Sequence, residues 1–165
     1  MQGRQEERRI EDDVIALLTA AGVSNPFRMY AERTGTQKSV AVGAYQSEAS
    51  LDAGVRPSGF LRIPVMLDCQ TEIHDDDTAT MLRELMGDVR EALLTDDILT
   101  RLNAESSYVT YYGLEQGPGQ IPEPTARFRH GEISLTLTVR PSNATTTTTS
   151  TTTSTTSSTT TTTTT

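Results

Sequence analysis

The chain has 165 residues, 35 % of them apolar, and a formal net charge of −8. This length suits one domain, since a domain typically takes roughly 100–200 residues. An acidic surface repels phosphate backbones, so direct binding to nucleic acid is not expected. No apolar run approaches the roughly 20 residues of a membrane-spanning helix, and no apolar stretch follows the polar start in the manner of a secretory signal. These features favour a soluble, acidic protein.

The C-terminal segment has a composition of its own. From Thr145 to Thr165 every residue is Thr or Ser, with 17 Thr and 4 Ser. A run without apolar side chains cannot form a core. The sequence therefore predicts an α+β domain over residues 1–143 and a Thr/Ser-rich low-complexity tail over residues 144–165. Such a tail is ordinarily disordered or glycosylated, although a β-branched run also adds to a sheet edge or lies along a partner's groove.

Helical periodicity marks two long segments. Apolar residues at helical spacing predict a first helix over Glu6–Ala21, with Gly22 as its stop, and a second over Thr78–Leu94. Residues 95–97, Thr-Asp-Asp, are predicted to cap a short helical piece at Ile98–Leu102.

Five segments have strand character, through alternation of apolar and polar residues or an abundance of β-formers. The first two flank a turn-like Thr-Gly-Thr and are predicted to form a hairpin or near-hairpin. We expect a single, mainly antiparallel sheet with the two main helices packed on one face. The predicted strands are Phe27–Ala31, Ser39–Tyr45, Leu61–Cys69, Tyr108–Tyr112 and Phe128–Arg140.

Three segments lack regular periodicity or interrupt it. Gln46–Gly59 is polar, with Gly and Pro, and is interpreted as a long loop that is a candidate contact element. Pro64 removes a backbone donor from its strand, which predicts a sheet edge or a bulge there. Gly117–Pro124 is rich in Gly and Pro and is predicted to be an extended connection with turns.

The side chains offer little catalytic chemistry. His74 precedes three aspartates, which we interpret as the acidic start of a helix, with a metal site as the less favoured alternative. Cys69, the single cysteine, is expected to be a buried small hydrophobe and not a reactive thiol. His130 has the parity of the outward face. No catalytic, cofactor or metal residues are therefore assigned, and we expect a protein that is not an enzyme.

An interaction surface is the better hypothesis. Tyr111 and Tyr112 are adjacent in a strand and point to opposite faces, so one core cannot bury both. Tyrosine is enriched at protein interfaces. With the polar loop and the tail, the candidate interface comprises Tyr45, Gln46, Glu48, Leu51, Val55, Arg56, Tyr111, Tyr112 and Thr145.

The order of elements resembles a known family. A strand over Leu61–Cys69 leads into a long helix over Asp77–Leu94, and Asp-Asp-Ile-Leu-Thr-Arg-Leu follows. A Tyr-rich strand, a loop and a closing Ile-Ser-Leu-Thr-Leu-Thr-Val-Arg-Pro complete the pattern. Over about Glu6 to Pro141 the chain resembles the tail-terminator and tail-completion (minor tail, neck) proteins of long-tailed bacteriophages.

The resemblance implies a non-enzymatic virion protein, made in the host cytoplasm. Such a protein forms a homo-oligomeric ring, with six copies implied, that caps the tail tube and joins it to the head. Its partners would be the tail tube protein and the head–tail connector or stopper proteins. Two other classes remain open: a different interaction module, such as an adaptor, decoration or baseplate subunit with an adhesive arm, and an enzyme or small-molecule binder.

Overall fold

The computed structural model describes residues 3–31, 37–45, 48–51, 57–73, 78–125 and 127–141. They form one six-stranded sheet and three helices, an α+β fold as predicted. No helix within these ranges is both long and apolar enough to cross a membrane. The elements in chain order are α1 (Gly3–Ala20), β1 (Pro26–Arg28), β2 (Lys38–Ala44), β3 (Glu48–Leu51), β4 (Pro57–Glu72), α2 (Thr78–Leu93), α3 (Ile98–Glu105), β5 (Val109–Gln120) and β6 (Phe128–Pro141).

The sheet is built around two long central strands. Its order is β1-β2-β4-β6-β5, and β3 pairs with the first part of β4. β4 and β6 run antiparallel in unbroken register from Leu61 opposite Val139 to Glu72 opposite Phe128. Every ladder is antiparallel except the short one between β1 and β2. The prediction of a mainly antiparallel sheet is confirmed.

The core lies on one face of this sheet. Alternate residues of β4 and β6 point to that face, because successive strand residues point to opposite sides. They form one buried cluster with apolar residues of all three helices, including Leu82, Met86 and Val89 of α2. Gly131 permits close packing, since a β carbon there would overlap the Met86 sulfur. The predicted packing of the helices on one face is thus confirmed.

The predicted hairpin of the first two strands is wrong. β1 and β2 are parallel, with Phe27 opposite Ala41. The direction of β1 is fixed by its contacts: Arg28 pairs with Asp12 of α1, and the Met29 N–H donates to the Val42 carbonyl oxygen at 2.9 Å. These tertiary contacts override the turn signal between the two segments.

The predicted long loop is also wrong in part. Residues 48–51 form β3, and β4 already begins at Pro57, so the two strands make a hairpin arm. The arm is held by ladder hydrogen bonds, which a polar sequence can make as well as an apolar one. The alternation of β3, Glu-Ala-Ser-Leu, is only four residues long and lies in a segment whose Gly and Pro residues indicate a loop.

Pro64 lies in a central strand and not at an edge or a bulge. It pairs in register with Thr136 of β6, and the Tyr45 N–H donates to the Pro64 carbonyl oxygen at 2.8 Å. The ladder of β2 ends with Ala44 opposite Val65, and that of β3 starts with Glu48 opposite Arg62. The position of the missing Pro64 N–H therefore faces the point where the β2 ladder ends. A central strand can lack a backbone donor at such a point.

Two smaller expectations change as well. Residues 117–119 belong to β5, whose register shifts between Gln116 and Gly119; such a bulge accommodates Pro118 inside a strand. α3 reaches Glu105, and Asp97 at its N-cap makes no side-chain cap hydrogen bond. The predicted acidic helix start at His74 and the following aspartates lies outside the described residues.

Candidate interaction surfaces

The outer face of the sheet carries polar pairs. Arg62 Nη2 of β4 lies 2.8 Å from Glu115 Oε2 of β5, spanning β6. His130 Nδ1 lies 3.1 Å from Asp68 Oδ2, to which Gln70 Nε2 also donates at 2.7 Å. His130 therefore lies on the outward side, as its parity predicts, and is half-buried and held by Asp68.

His130 also approaches a hydroxyl, in an order that resembles a catalytic triad. Its Nε2 lies 3.4 Å from Thr125 Oγ1. That oxygen is already engaged, because it donates to the Phe128 carbonyl oxygen at 3.1 Å and accepts the Phe128 N–H at 3.1 Å. A hydroxyl held in a local turn in this way stabilises the turn. The Asp68–His130–Thr125 chain thus ties the end of the β5–β6 connection to the sheet.

Two aromatic sites interrupt the polar outer face. Tyr112 occupies the register shift of β5, is 53 % exposed, and packs edge-on against Phe60 with ring centroids 5.0 Å apart. Tyr45 is 42 % exposed, and its hydroxyl lies 3.5 Å from the Met66 sulfur. Both predicted tyrosines are accessible to a partner.

Tyr111 is not accessible and leaves the candidate interface. It is 2 % exposed, and its hydroxyl donates to Asp13 Oδ2 of α1 at 2.6 Å. Burial raises the pKa of Asp13, against the opposing effect of hydrogen bonds from Tyr111 and Ser106. Burial and the bond to Asp13 raise the pKa of the Tyr111 hydroxyl in turn. This pair joins β5 to α1 inside the fold.

The remaining candidates do not gather at one place. Glu48 and Leu51 lie in β3, on the opposite side of the sheet from Tyr112 in β5. Gln46, Val55, Arg56 and Thr145 lie outside the described residues. The described candidates therefore lie at two opposite edges of the sheet.

The outer edge of β5 is closed at its start by α3. Asn103 Nδ2 donates to the Tyr111 carbonyl oxygen at 3.0 Å, and Asn103 Oδ1 accepts the Tyr111 N–H at 2.8 Å. Ser106 Oγ accepts the Val109 N–H at 3.3 Å. Asn103 thus makes the bonds that a neighbouring strand would make. No sequence pattern indicates this role, since a polar residue on a short helix usually faces solvent.

Further along, the edge of β5 is open. In an antiparallel ladder, every second residue of an edge strand turns its N–H and C=O groups away from the neighbouring strand. On β5 these are the residues opposite Val139, Leu137 and Leu135 of β6. Leu114 and Gln116 hold these positions, as Tyr111 does. Among the described residues no side chain or strand pairs with their outward backbone groups.

A wide cavity lies between α1 and the β1–β2 side. It has a volume of about 910 Å³ and is lined by Glu7, Arg8, Glu11, Arg28 and Tyr30, among others. Glu11 is buried, and its Oε1 accepts the Ala44 N–H at 3.0 Å, which caps the end of β2. Sites for small molecules are mostly apolar with a few convergent polar groups, so this charged lining differs from them.

Cys69 is fully buried, and burial raises the pKa of its thiol to about 12, so the neutral thiol is the form present. This agrees with the prediction of a small buried hydrophobe. Within the described residues no three potential His, Cys, Asp or Glu ligands come together.

No protein-family model matches the chain, and the curated proteins contain no significant match to it.

Proposed function

We propose that this chain is a structural subunit of the neck or tail of a long-tailed bacteriophage. It forms a ring that terminates the tail tube and joins it to the head connector. The observation that carries the proposal is a sheet with two unlike open edges, β3 on one side and the second half of β5 on the other. Rings form through head-to-tail contacts, which need a different patch on each side of the subunit.

The two edges have the chemistry for such a contact. Unpaired N–H and C=O groups of an edge strand are a template for another strand. β3 pairs only with β4 among the described residues, and Leu114 and Gln116 present outward groups on β5. Pairing β3 of one subunit with β5 of the next satisfies both edges. Ring closure then leaves neither of these two edges open.

The partners follow from the position in the virion. The subunit is made in the host cytoplasm and assembles on the tail tube protein, with the connector or stopper proteins on its other side. The exposed Tyr45 and Tyr112 supply contact area outside the sheet edges. In this role the chain is not an enzyme, and six copies complete the ring.

Gln116→Pro tests the ring directly. Proline removes the outward N–H but none of the β5–β6 ladder bonds, and Gln116→Ala keeps the N–H as the matched control. Negative-stain imaging of the chain, alone and with the tail tube protein, should show closed rings for wild type and Gln116→Ala, and none for Gln116→Pro. Scattered single copies of wild type, or unchanged rings with Gln116→Pro, would refute the proposal.

A second candidate is another virion or adhesive module, such as an adaptor, decoration or baseplate subunit with a Thr-rich arm. One observation favours it: Phe60 and the exposed Tyr112 form an aromatic pair at the end of the sheet where β6 finishes at Pro141, and the Thr/Ser tail follows Pro141 in the sequence. Deletion of residues 144–165 separates the two candidates. The ring subunit should still close its ring, whereas the adhesive module should lose its attachment to the particle.

A further inference from the structure

A groove lined by arginines runs between α2 and the segment that follows β5. Two adjoining cavities of about 180 and 190 Å³ share Arg83 and Ile121 as lining residues. Arg129 lines the first cavity and Arg90 the second, together with Met86. The groove therefore combines three guanidinium groups with exposed apolar surface, of which Ile121 is 64 % exposed.

These three arginines lack partners among the described residues. None forms an ion pair with a described carboxylate, whereas Arg28, Arg62 and Arg127 do. The Nε atom of Arg129 is buried and has no hydrogen-bond partner. In a chain with 22 acidic and 14 basic residues, unpaired arginines in one groove are unexpected. A buried donor without a partner costs free energy that an acceptor in the groove would recover.

The backbone beside the groove leaves room for the Arg90 side chain. Gly119 lies in the second register shift of β5, and a β carbon there would overlap Nη2 of Arg90. Arg83 and Arg90 are two helical turns apart and share one flank of α2. That flank, next to Met86 and facing β5, is the basic flank.

The opposite flank of α2 is acidic. Asp88 and Glu91 are exposed and form no ion pair within the described residues, while Glu84 lies 3.6 Å from Lys38. Asp88 and Glu91 line a depression of about 350 Å³ beside α3, which also contains Arg101. Glu84, Asp88 and Glu91 form the acidic flank. One helix thus carries two separate surfaces of opposite charge.

We propose that the arginine groove of one subunit binds the acidic flank of α2 on a second copy of this chain. This inference rests on the proposed ring and assigns it a second, charged contact beside the strand edges. A guanidinium group binds a carboxylate through two parallel hydrogen bonds, which fixes orientation as well as affinity. The exposed apolar Ile121 favours a protein surface over a nucleic-acid backbone. Because the two flanks differ, they provide the two unlike patches that a head-to-tail contact in a ring requires.

Charge reversal of each flank provides the test. Variant B carries Arg83→Glu and Arg90→Glu, and variant A carries Asp88→Arg and Glu91→Arg. Arg140→Glu, on an exposed residue outside the groove, is the control. Sedimentation of the full chain at low salt, with and without the tail tube protein, measures association. Circular dichroism and urea midpoints establish that each variant is folded.

Wild type and Arg140→Glu should self-associate, and added salt should weaken the association because exposed charges are screened. Variants A and B should each associate about ten-fold less tightly or worse, as expected when close charge pairs are lost. Mixing A with B creates matched pairs and should restore association between the two variants. This recovery is the readout that general destabilisation does not produce.

The outcomes separate this inference from the proposed ring. Monomeric wild type under both conditions, or variants that associate as wild type does, would overturn the charged contact. Closed rings that tolerate both reversals would leave the ring standing without this contact. Open chains or dimers that depend on the charge swap would support the contact and refute the ring.

Discussion

The two faces of the sheet are built from the same strands but differ in what packs against them. On the helix face, Ile63, Leu67, Ile133 and Leu137 are fully buried against the three helices. On the outer face, Arg62 and Asp68 are held by polar partners, and Tyr112 is half-exposed. The difference shows that the helix face accounts for the stability of the fold. Among the described residues, the outer face and the second half of the β5 edge have no such cover.

The largest effect that tests this comparison is expected in the core. Leu135 and Leu82 are 2 % and 3 % exposed, so Leu135→Ala or Leu82→Ala should lower the free energy of unfolding by about 2–5 kcal/mol. Thr136→Ala, one residue away on the outer face, is the matched control and should change it by about 0.5 kcal/mol or less. Urea denaturation measures all three. Equal midpoints for Leu135→Ala and Thr136→Ala would mean that the two faces do not differ as described.

A smaller effect is expected where α3 closes the edge of β5. Asn103→Ala leaves the N–H and C=O of Tyr111 without their partner, which should lower the free energy of unfolding by about 1–3 kcal/mol. The uncovered edge should also raise self-association, visible in light scattering. Thr100→Ala, on an exposed position of the same helix, is the control. An Asn103→Ala variant with wild-type stability and solubility would show that the bonds to Tyr111 are dispensable.

The smallest effect concerns pH. Since burial raises the pKa of Asp13 in the folded state, the native state retains this proton when the unfolded state has lost it. Stability from this group is therefore fully present below the unfolded pKa and is lost as pH rises through the folded pKa. Asp13→Asn removes this titration.

Urea midpoints at stepped pH values check the sign. Relative to wild type, the stability of Asp13→Asn should improve as pH rises from the ordinary Asp range towards neutrality. Glu123→Gln, which removes an exposed carboxylate, serves as the control. A constant difference between Asp13→Asn and wild type across this range would contradict the raised pKa.

The sequence predicted the elements whose pattern comes from burial. The sequence predicts β4, β6 and α2 because their apolar residues repeat with the period of a strand or of a helix. This repeat arises because one face of each element is buried in the core. The sequence does not predict β3, because its alternation of Glu, Ala, Ser and Leu covers only four residues. The direction of β1 depends on the contact of Arg28 with Asp12, which no local pattern encodes.

The candidate surfaces were only partly predictable. Strand parity correctly placed Tyr111 and Tyr112 on different faces, but which one is buried depends on Asp13, distant in sequence. The role of Asn103 depends on α3 lying beside the edge of β5. Arg83 and Arg90 have a regular spacing of two helical turns, yet Arg129 and Gly119 join them only in the folded chain.

The pairing of β4 with β6 has a consequence for synthesis on the ribosome. Its pairs, such as Asp68 with Glu132, join residues on either side of α2, α3 and β5. Closing so long a segment costs conformational entropy before the pairing compensates for it. While residues up to Gln120 have emerged and β6 has not, the edge of β4 that pairs with β6 has no partner. The nascent chain therefore exposes an aggregation-prone strand until Pro141 leaves the exit tunnel, and chaperones have a defined interval in which to bind it.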